Sequence, residues 1–280
     1  MRLDGKVAFI TGAARGQGRS HAVTLAAEGA DIIAVDLCAP LESVEYPLAT
    51  PEDLAETVRQ VEALDRRIVA RVADVRDTGS LRAAVDEGVA ELGRLDIVSA
   101  NAGILSSGSL VDSPAGELSE QSWREMIDVN LSGVWRTCKV AIPHLLAGGR
   151  GGSLILTSSV AGLKSYANVA HYVSAKHGVV GLMRTLATEL APYGIRVNTV
   201  NPTQVDTDMI QNDVMYHLFV PDEENPTKEQ FAAASRATGL LPVDWVEAID
   251  ISKVVAFLAS DDSRYITGIA LPVDAGATLR

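Results

Sequence analysis

Val7-Ala8-Phe9-Ile10-Thr11-Gly12-Ala13-Ala14-Arg15-Gly16-Gln17-Gly18 is the stretch on which the fold turns. Its apolar start, with no polar alternation, reads as a strand buried on both faces, the condition of a strand inside a parallel sheet. Glycine then recurs at Gly12, Gly16 and Gly18, and an alanine-rich apolar segment follows. Glycines at a strand-to-helix turn let the chain bend sharply and let a pyrophosphate approach the backbone, with the positive end of the helix facing its charge. The spacing is Gly-x-x-x-Gly-x-Gly, not the Gly-x-Gly-x-x-Gly of the general dinucleotide fingerprint, so the motif alone also fits a plain turn. Context favours the nucleotide. A second apolar run, Ile32-Ile33-Ala34-Val35, ends in Asp36, where an acid would hold a ribose.

Outward from this unit the chain alternates strands and helices, with no internal repeat and no low-complexity tract. A first helix is predicted over 16–28, with Gly29 as its left-handed end. Further strands are predicted at 68–72, 95–99, 153–157, 195–200 and 269–273. Helices are predicted at 78–92, capped by Thr78, at 122–146, and around Tyr172 and Lys176 to about 190. Asp74-Val75 follows the third strand, and Asn101-Ala102-Gly103 follows the fourth. Pro272 cannot donate a ladder hydrogen bond, which puts the last strand at an edge. The sum is one α/β domain over 1–280, a doubly wound parallel sheet of about seven strands with helices on both faces.

Two segments stand outside that alternation. Residues 37–51 hold three prolines and no clear period, and begin directly after Asp36, so they should lie near the adenosine end of a bound nucleotide. Leu41, Val44, Tyr46, Pro47 and Leu48 supply apolar surface to cover it; the plain alternative is a solvated loop. Residues 206–244 mix Met209, Ile210, Met215, Tyr216, Leu218, Phe219 and Val220 with the acidic patch Pro221-Asp222-Glu223-Glu224-Asn225-Pro226. Emerging beyond the carboxyl end of the sixth strand, this segment is expected to close over a substrate. A merely mobile connection is the alternative.

Composition narrows the partners. A net charge of −12 without a basic patch argues against a nucleic-acid partner. No apolar run is long enough to cross a bilayer, and the chain leads straight into its first strand, with no signal peptide. A cytoplasmic location follows by elimination. Cys38 and Cys138 form no framework and read as reduced thiols. The five histidines lack a ligand spacing, so no metal is expected.

Tyr172 and Lys176 carry the chemistry. At i, i+4 they share a helical face, and an ammonium beside a phenol favours phenolate. Tyr172 then serves as base toward an alcohol proton or as acid toward a ketone oxygen. Tyr-x-x-x-Lys alone is a common accident. Beside the glycine signature, and following Ser159 at a strand end, the catalytic reading is favoured.

Taken together, Thr11-Gly12-x-x-x-Gly16-x-Gly18, Asn101-Ala102-Gly103, Ser159 and Tyr172-x-x-x-Lys176 resemble the short-chain dehydrogenase/reductase family over nearly the whole chain. The segment after Asp36 and Asn201-Pro202-Thr203-Gln204-Val205 resemble its mycobacterial carveol-dehydrogenase-like, mycofactocin-associated branch. The resemblance implies a Rossmann-type fold and hydride transfer between a secondary alcohol or ketone and a nicotinamide. Tyr172 would be the acid/base, Lys176 would hold the nicotinamide ribose, Ser159 the substrate oxygen, and Asn130 a water-linked proton relay. Ser158 competes for the serine role. Gly12, Arg15, Gly16, Gln17, Gly18, Asp36, Leu37, Asp74, Val75, Asn101, Ala102, Gly103, Pro202, Val205 and Thr207 would contact the cofactor, with Asp74 and Val75 at the adenine. Asp74 could instead cap the following helix. The family usually has Pro-Gly where this chain has Pro202-Thr203.

Arg15 stands where the family's NADP users often carry a base. Asp36, followed by Leu37 and Cys38, would repel a 2′-phosphate, so NAD is the expected cofactor. The resemblance further implies an apolar cyclic or terpenoid substrate, NAD held without exchange, a mycofactocin-like external carrier, and a homotetramer. A 3-oxoacyl-type or steroid reductase is the alternative enzyme, and a non-catalytic NAD-binding protein the alternative class.

Overall fold

All five residues of β1 (Val7–Thr11) are buried, as the unbroken apolar run requires. The strand pairs in parallel with β2 (Asp31–Asp36) on one side and β4 (Ile97–Ala100) on the other. The structure, a computed structural model, describes residues 1–105 and 114–280. Among them, β3 (Ile68–Val72), β5 (Gly152–Thr157), β6 (Ile195–Pro202) and β7 (Ala270–Val273) complete a sheet of seven strands in the order β3-β2-β1-β4-β5-β6-β7, parallel throughout. The predicted doubly wound sheet is what forms. Its winding reverses between β1 and β4, so the crevice over their carboxyl ends is the place such sheets offer a ligand. Pro272 falls on the edge strand β7, where its missing N–H is tolerated.

Side chains alternate across the sheet with the period of a strand. Ala8 and Ile10 face a core formed with α1 (Gly16–Ala27), α2 (Pro51–Glu62) and α9 (Ala248–Ala259). Val7 and Phe9 face the opposite core, formed with α3 (Thr78–Leu92), α5 (Gly133–Gly148) and α6 (Ala170–Leu190). Gly29, at φ +103°, ends α1 as expected. Asp77, not Thr78, caps α3, accepting the Gly79 N–H at 2.8 Å. The helix expected over 122–146 is divided: α4 (Glu120–Ile127) and α5 are joined by a π-helical turn, Asp128–Ser132. Its extra residue per turn leaves the apolar pattern on either side intact, so the period alone hides the break.

The segments outside the alternation differ in kind. Residues 37–50 are irregular and only partly solvated: Leu41, Tyr46 and Ala49 are buried, while Pro40, Glu42, Glu45, Pro47 and Thr50 are exposed. The chain then enters α2 through a capping box, in which Thr50 and Asp53 each bond the other's backbone N–H. Residues 206–244 are not one long loop. They contain α7 (Asp213–Phe219) and α8 (Lys228–Arg236), started by Asn212 and Thr227. These helices have a small core of their own. Fully buried Phe231 stacks on Tyr216 at 5.0 Å and on Trp245 at 5.9 Å, and meets Phe219 edge-on at 5.2 Å. Tyr172 of α6 packs against this cluster.

Candidate active site

The crevice begins where β1 and β4 touch. Gly12 sits at φ +66°, and a Cβ there would lie 2.8 Å from the Ala102 Cα. A Cβ on Gly18 would lie 1.8 Å from the Gly12 carbonyl oxygen, so no other residue closes this turn. Thr11 Oγ1 accepts the N–H groups of Asn101 at 3.1 Å and Ala102 at 3.2 Å, fixing one strand end to the other. No side chain caps α1, so its first N–H groups remain available to an anion.

A first cavity opens at this point. It is lined by Gly12, Arg15, Gly16, Gln17, Gly18, Asp36, Leu37, Asp74, Val75, Asn101, Ala102 and Gly103, the residues expected from the sequence on the phosphate and adenosine side. Asp36 accepts the Ala14 N–H at 2.9 Å, which ties the end of β2 to the glycine turn. Asp74 does not cap α3; it is clamped by Arg76 at 2.7 Å. Arg15 is drawn across the mouth, pairing with Asp208 at 2.9 Å and donating to the Pro47 carbonyl. The 37–50 segment adds Ala39, Leu41, Tyr46, Leu48 and Ala49 to the wall. Tyr46 accepts the Leu105 N–H at 3.3 Å, and burial pushes its hydroxyl up to about 12. Gln17 Oε1 is buried with no hydrogen-bond partner among the described residues. An uncapped helix end, a carboxylate at the ribose position and an orphaned acceptor suit a dinucleotide.

The second cavity, of about 370 Å³, shares Gln17, Asn101, Gly103, Ile104, Thr207 and Met209 with the first, so the two are continuous. Asn130, Ser159, Tyr172, Lys176, Pro202, Val205 and Thr207 all line it. Val169, Met209, Ile210, Met215, Leu218 and Phe219 supply an apolar part of the same lining. Tyr166, Gln204 and Thr238 also reach this cavity, and no spacing in the sequence marks them.

Lys176 is 4% exposed, donates to the Thr157 carbonyl at 3.0 Å, and lies 5.5 Å from the centre of the Tyr172 ring. Burial lowers its pKa to about 8. The expectation that this lysine lowers the tyrosine pKa is corrected here: burial dominates and raises Tyr172, while a hydrogen bond with Ser159 works the other way. An ammonium that burial itself discourages, and that is held by a carbonyl, does not offset the phenolate's loss of water. Ser158 donates to the Lys176 carbonyl at 2.9 Å and is thereby spent on the helix. Ser159 faces Tyr172 instead. Asn130, in the π-helical turn, bonds both main-chain groups of Ile104, accepting at 2.9 Å and donating at 2.8 Å. Its amide therefore shapes the loop after β4.

A tyrosine, a serine and a buried lysine thus line one largely apolar cavity that adjoins the cleft over the glycine turn, and the short chain dehydrogenase family model matches residues 6–215. The chain belongs to the short-chain dehydrogenase family. This short-chain dehydrogenase falls in the carveol-dehydrogenase-like branch. It is 58% identical over 279 residues to a (−)-trans-carveol dehydrogenase of Rhodococcus erythropolis, covering 100% of this chain and 99% of the relative. The crystal structure of carveol dehydrogenase from Mycobacterium avium in complex with NAD superposes with a TM-score of 0.97 at 59% identity, covering 100% of this chain and 99% of that one. An NAD-bound short chain dehydrogenase from Mycobacterium paratuberculosis gives a TM-score of 0.90 at 47% identity, with 100% of each chain covered.

Proposed function

We propose that this short-chain dehydrogenase interconverts an apolar cyclic secondary alcohol, of the terpenoid kind that carveol represents, with its ketone, using NAD. The observation that carries the reading is the meeting of Tyr172, Ser159 and Lys176 in the second cavity, which adjoins the first and has a largely apolar lining. A volume of about 370 Å³ lies within the roughly 300–1,000 Å³ of small-molecule sites. When bound, the nicotinamide accepts hydride from the alcohol carbon or returns it to the ketone carbon. Tyr172 Oη takes the hydroxyl proton in oxidation and gives it back in reduction. Ser159 Oγ holds the substrate oxygen beside it. Lys176 Nζ, fixed by Thr157, orients the ribose hydroxyls. Asn130 keeps its amide on Ile104, which leaves any part in a water-linked relay to its main chain. Gly12, Gly16, Gly18 and the start of α1 hold the pyrophosphate; Asp36 and Leu37 meet the adenosine ribose, Asp74 and Val75 the adenine, and Pro202, Val205 and Thr207 the carboxamide.

Residues 206–244 serve as the substrate lid, and residues 37–50 cover the nucleotide, so that NAD stays bound between turnovers and passes its electrons to an external carrier of the mycofactocin kind. The buried Leu41 and Tyr46 at the cofactor cavity support that retention. The working form is a cytoplasmic homotetramer. Trp123 and Trp135, 41% and 43% exposed on α4 and α5, offer apolar surface for a second copy, and light scattering reads the mass. Among the described residues no helix is long and apolar enough to cross a membrane.

The test is a panel of cyclic terpenoid, steroid and acyl alcohols and polyols, assayed with NAD, NADP and an artificial electron acceptor. Cyclic hydrocarbon alcohols should lead. Polyols or acyl substrates in first place would overturn the substrate reading.

A further inference from the structure

Arg15 is the one cation among the described residues lining the first cavity, against the carboxylates Asp36, Asp74 and Asp208. Its backbone starts one residue beyond Ala14, whose N–H is held by Asp36. A ribose at Asp36 carrying a 2′-phosphate would therefore find Arg15 as the nearest positive group on the glycine turn. The guanidinium points elsewhere. Nη1 pairs with Asp208 at 2.9 Å, from the segment that closes the second cavity, and Nη2 donates to the Pro47 carbonyl of the 37–50 segment.

We propose that Asp208, together with the Pro47 carbonyl, is a determinant of cofactor choice: it commits the Arg15 guanidinium and so denies a counter-charge to any nucleotide bearing a 2′-phosphate. Asp208 acts through Arg15 and is a positioning residue. Discrimination against NADP then has two parts. Asp36 repels the phosphate, and Asp208 occupies the one cation that lines this cavity among the described residues. A charge-assisted contact released from Asp208 strengthens phosphate binding by about tenfold. The effect stays hidden while Asp36 is charged, so the two positions are coupled and not additive.

The inference rests on the NAD reading but is tested apart from turnover. The full chain, freed of any bound NAD by unfolding, desalting and refolding, is titrated with NADH and with NADPH by cofactor fluorescence, and the ratio of the two dissociation constants is followed. Asp36→Asn keeps an oxygen for the Ala14 N–H and moves the ratio toward NADPH. Adding Asp208→Asn should move it about tenfold further, and Asp208→Ser should do the same. Placing Arg15→Ala in that background should abolish the second step. A general loosening of the 206–244 segment weakens both nucleotides alike and leaves the ratio unmoved, which counts against the proposal. So does a second step that survives Arg15→Ala. Failure to bind either nucleotide sinks the NAD reading itself, whereas tight NADH binding with an unmoved ratio sinks this inference alone.

Discussion

Tyr172 holds its hydroxyl where burial opposes charge, and for the proposed acid/base this sets the direction of the pH dependence. Alcohol oxidation needs the phenolate and ketone reduction the phenol. With the tyrosine raised above its ordinary value near 10, kcat/KM for oxidation climbs with pH through the neutral range. It bends above about 8, where Lys176 gives up the charge with which it would hold the nicotinamide ribose. Paired pH profiles for the two directions check this; oxidation that falls with rising pH would remove Tyr172 as the base. Tyr172→Phe should cut turnover by about 10²-fold or more while NADH binding stays within a few-fold, since the hydroxyl supplies the proton and little cofactor contact. Turnover near wild type would discard the mechanism. The identity of these groups was legible because glycine turns and an i, i+4 pair are local in sequence. The sign of the tyrosine shift was not, because part of the water exclusion comes from the cluster around Phe231, far along the chain.

At the scale of elements, the caps were written in the sequence even where the helices they start were passed over. Thr50-Pro51-Glu52-Asp53 carries the signature of a helix start, and α2 went unread because the prolines before it dominated the stretch. Asn212 and Thr227 mark α7 and α8 in the same way, inside a segment read as loop. The contact of α1 with α9 holds a group whose consequence no pattern announces. His21 is fully buried, bonded through Nδ1 to Ser252 Oγ at 2.8 Å, and burial drops its pKa to about 3. The unfolded chain takes up this proton near 6.5 and the folded one only near 3, so the contribution is intact above about 6.5 and is lost as pH falls through that window. The slope reaches about 1.4 kcal/mol per pH unit. His21→Leu should flatten stability measured by urea unfolding between pH 6.5 and 4.5; an unchanged slope assigns the acid sensitivity to other groups. For the irregular segment, replacing residues 40–49 by a brief turn should release NAD that the full chain retains through dialysis, read by absorbance after denaturation. About 100 Å² of lost apolar cover corresponds to about 2.5 kcal/mol, or nearly two decades in affinity. Equal retention by both forms would free the segment of that role.

For the molecule as a whole, the strand–helix alternation was enough to foretell a parallel sheet with its ligands over the carboxyl ends. It could not foretell how many bodies stand above that sheet. The cluster of Tyr216, Phe219, Phe231 and Trp245 makes the 206–244 segment a body with an interior rather than a fringe. As the proposed lid, such a body would swing as a flap rather than fray open residue by residue, on the microsecond-to-millisecond scale of hinged motions. Friction with the medium would then enter the catalytic cycle. Turnover of the better substrates should fall as sucrose thickens the buffer, in proportion to relative viscosity, while a slow substrate limited by its chemistry is indifferent. Phe231→Ala, which hollows the flap, should blunt that dependence.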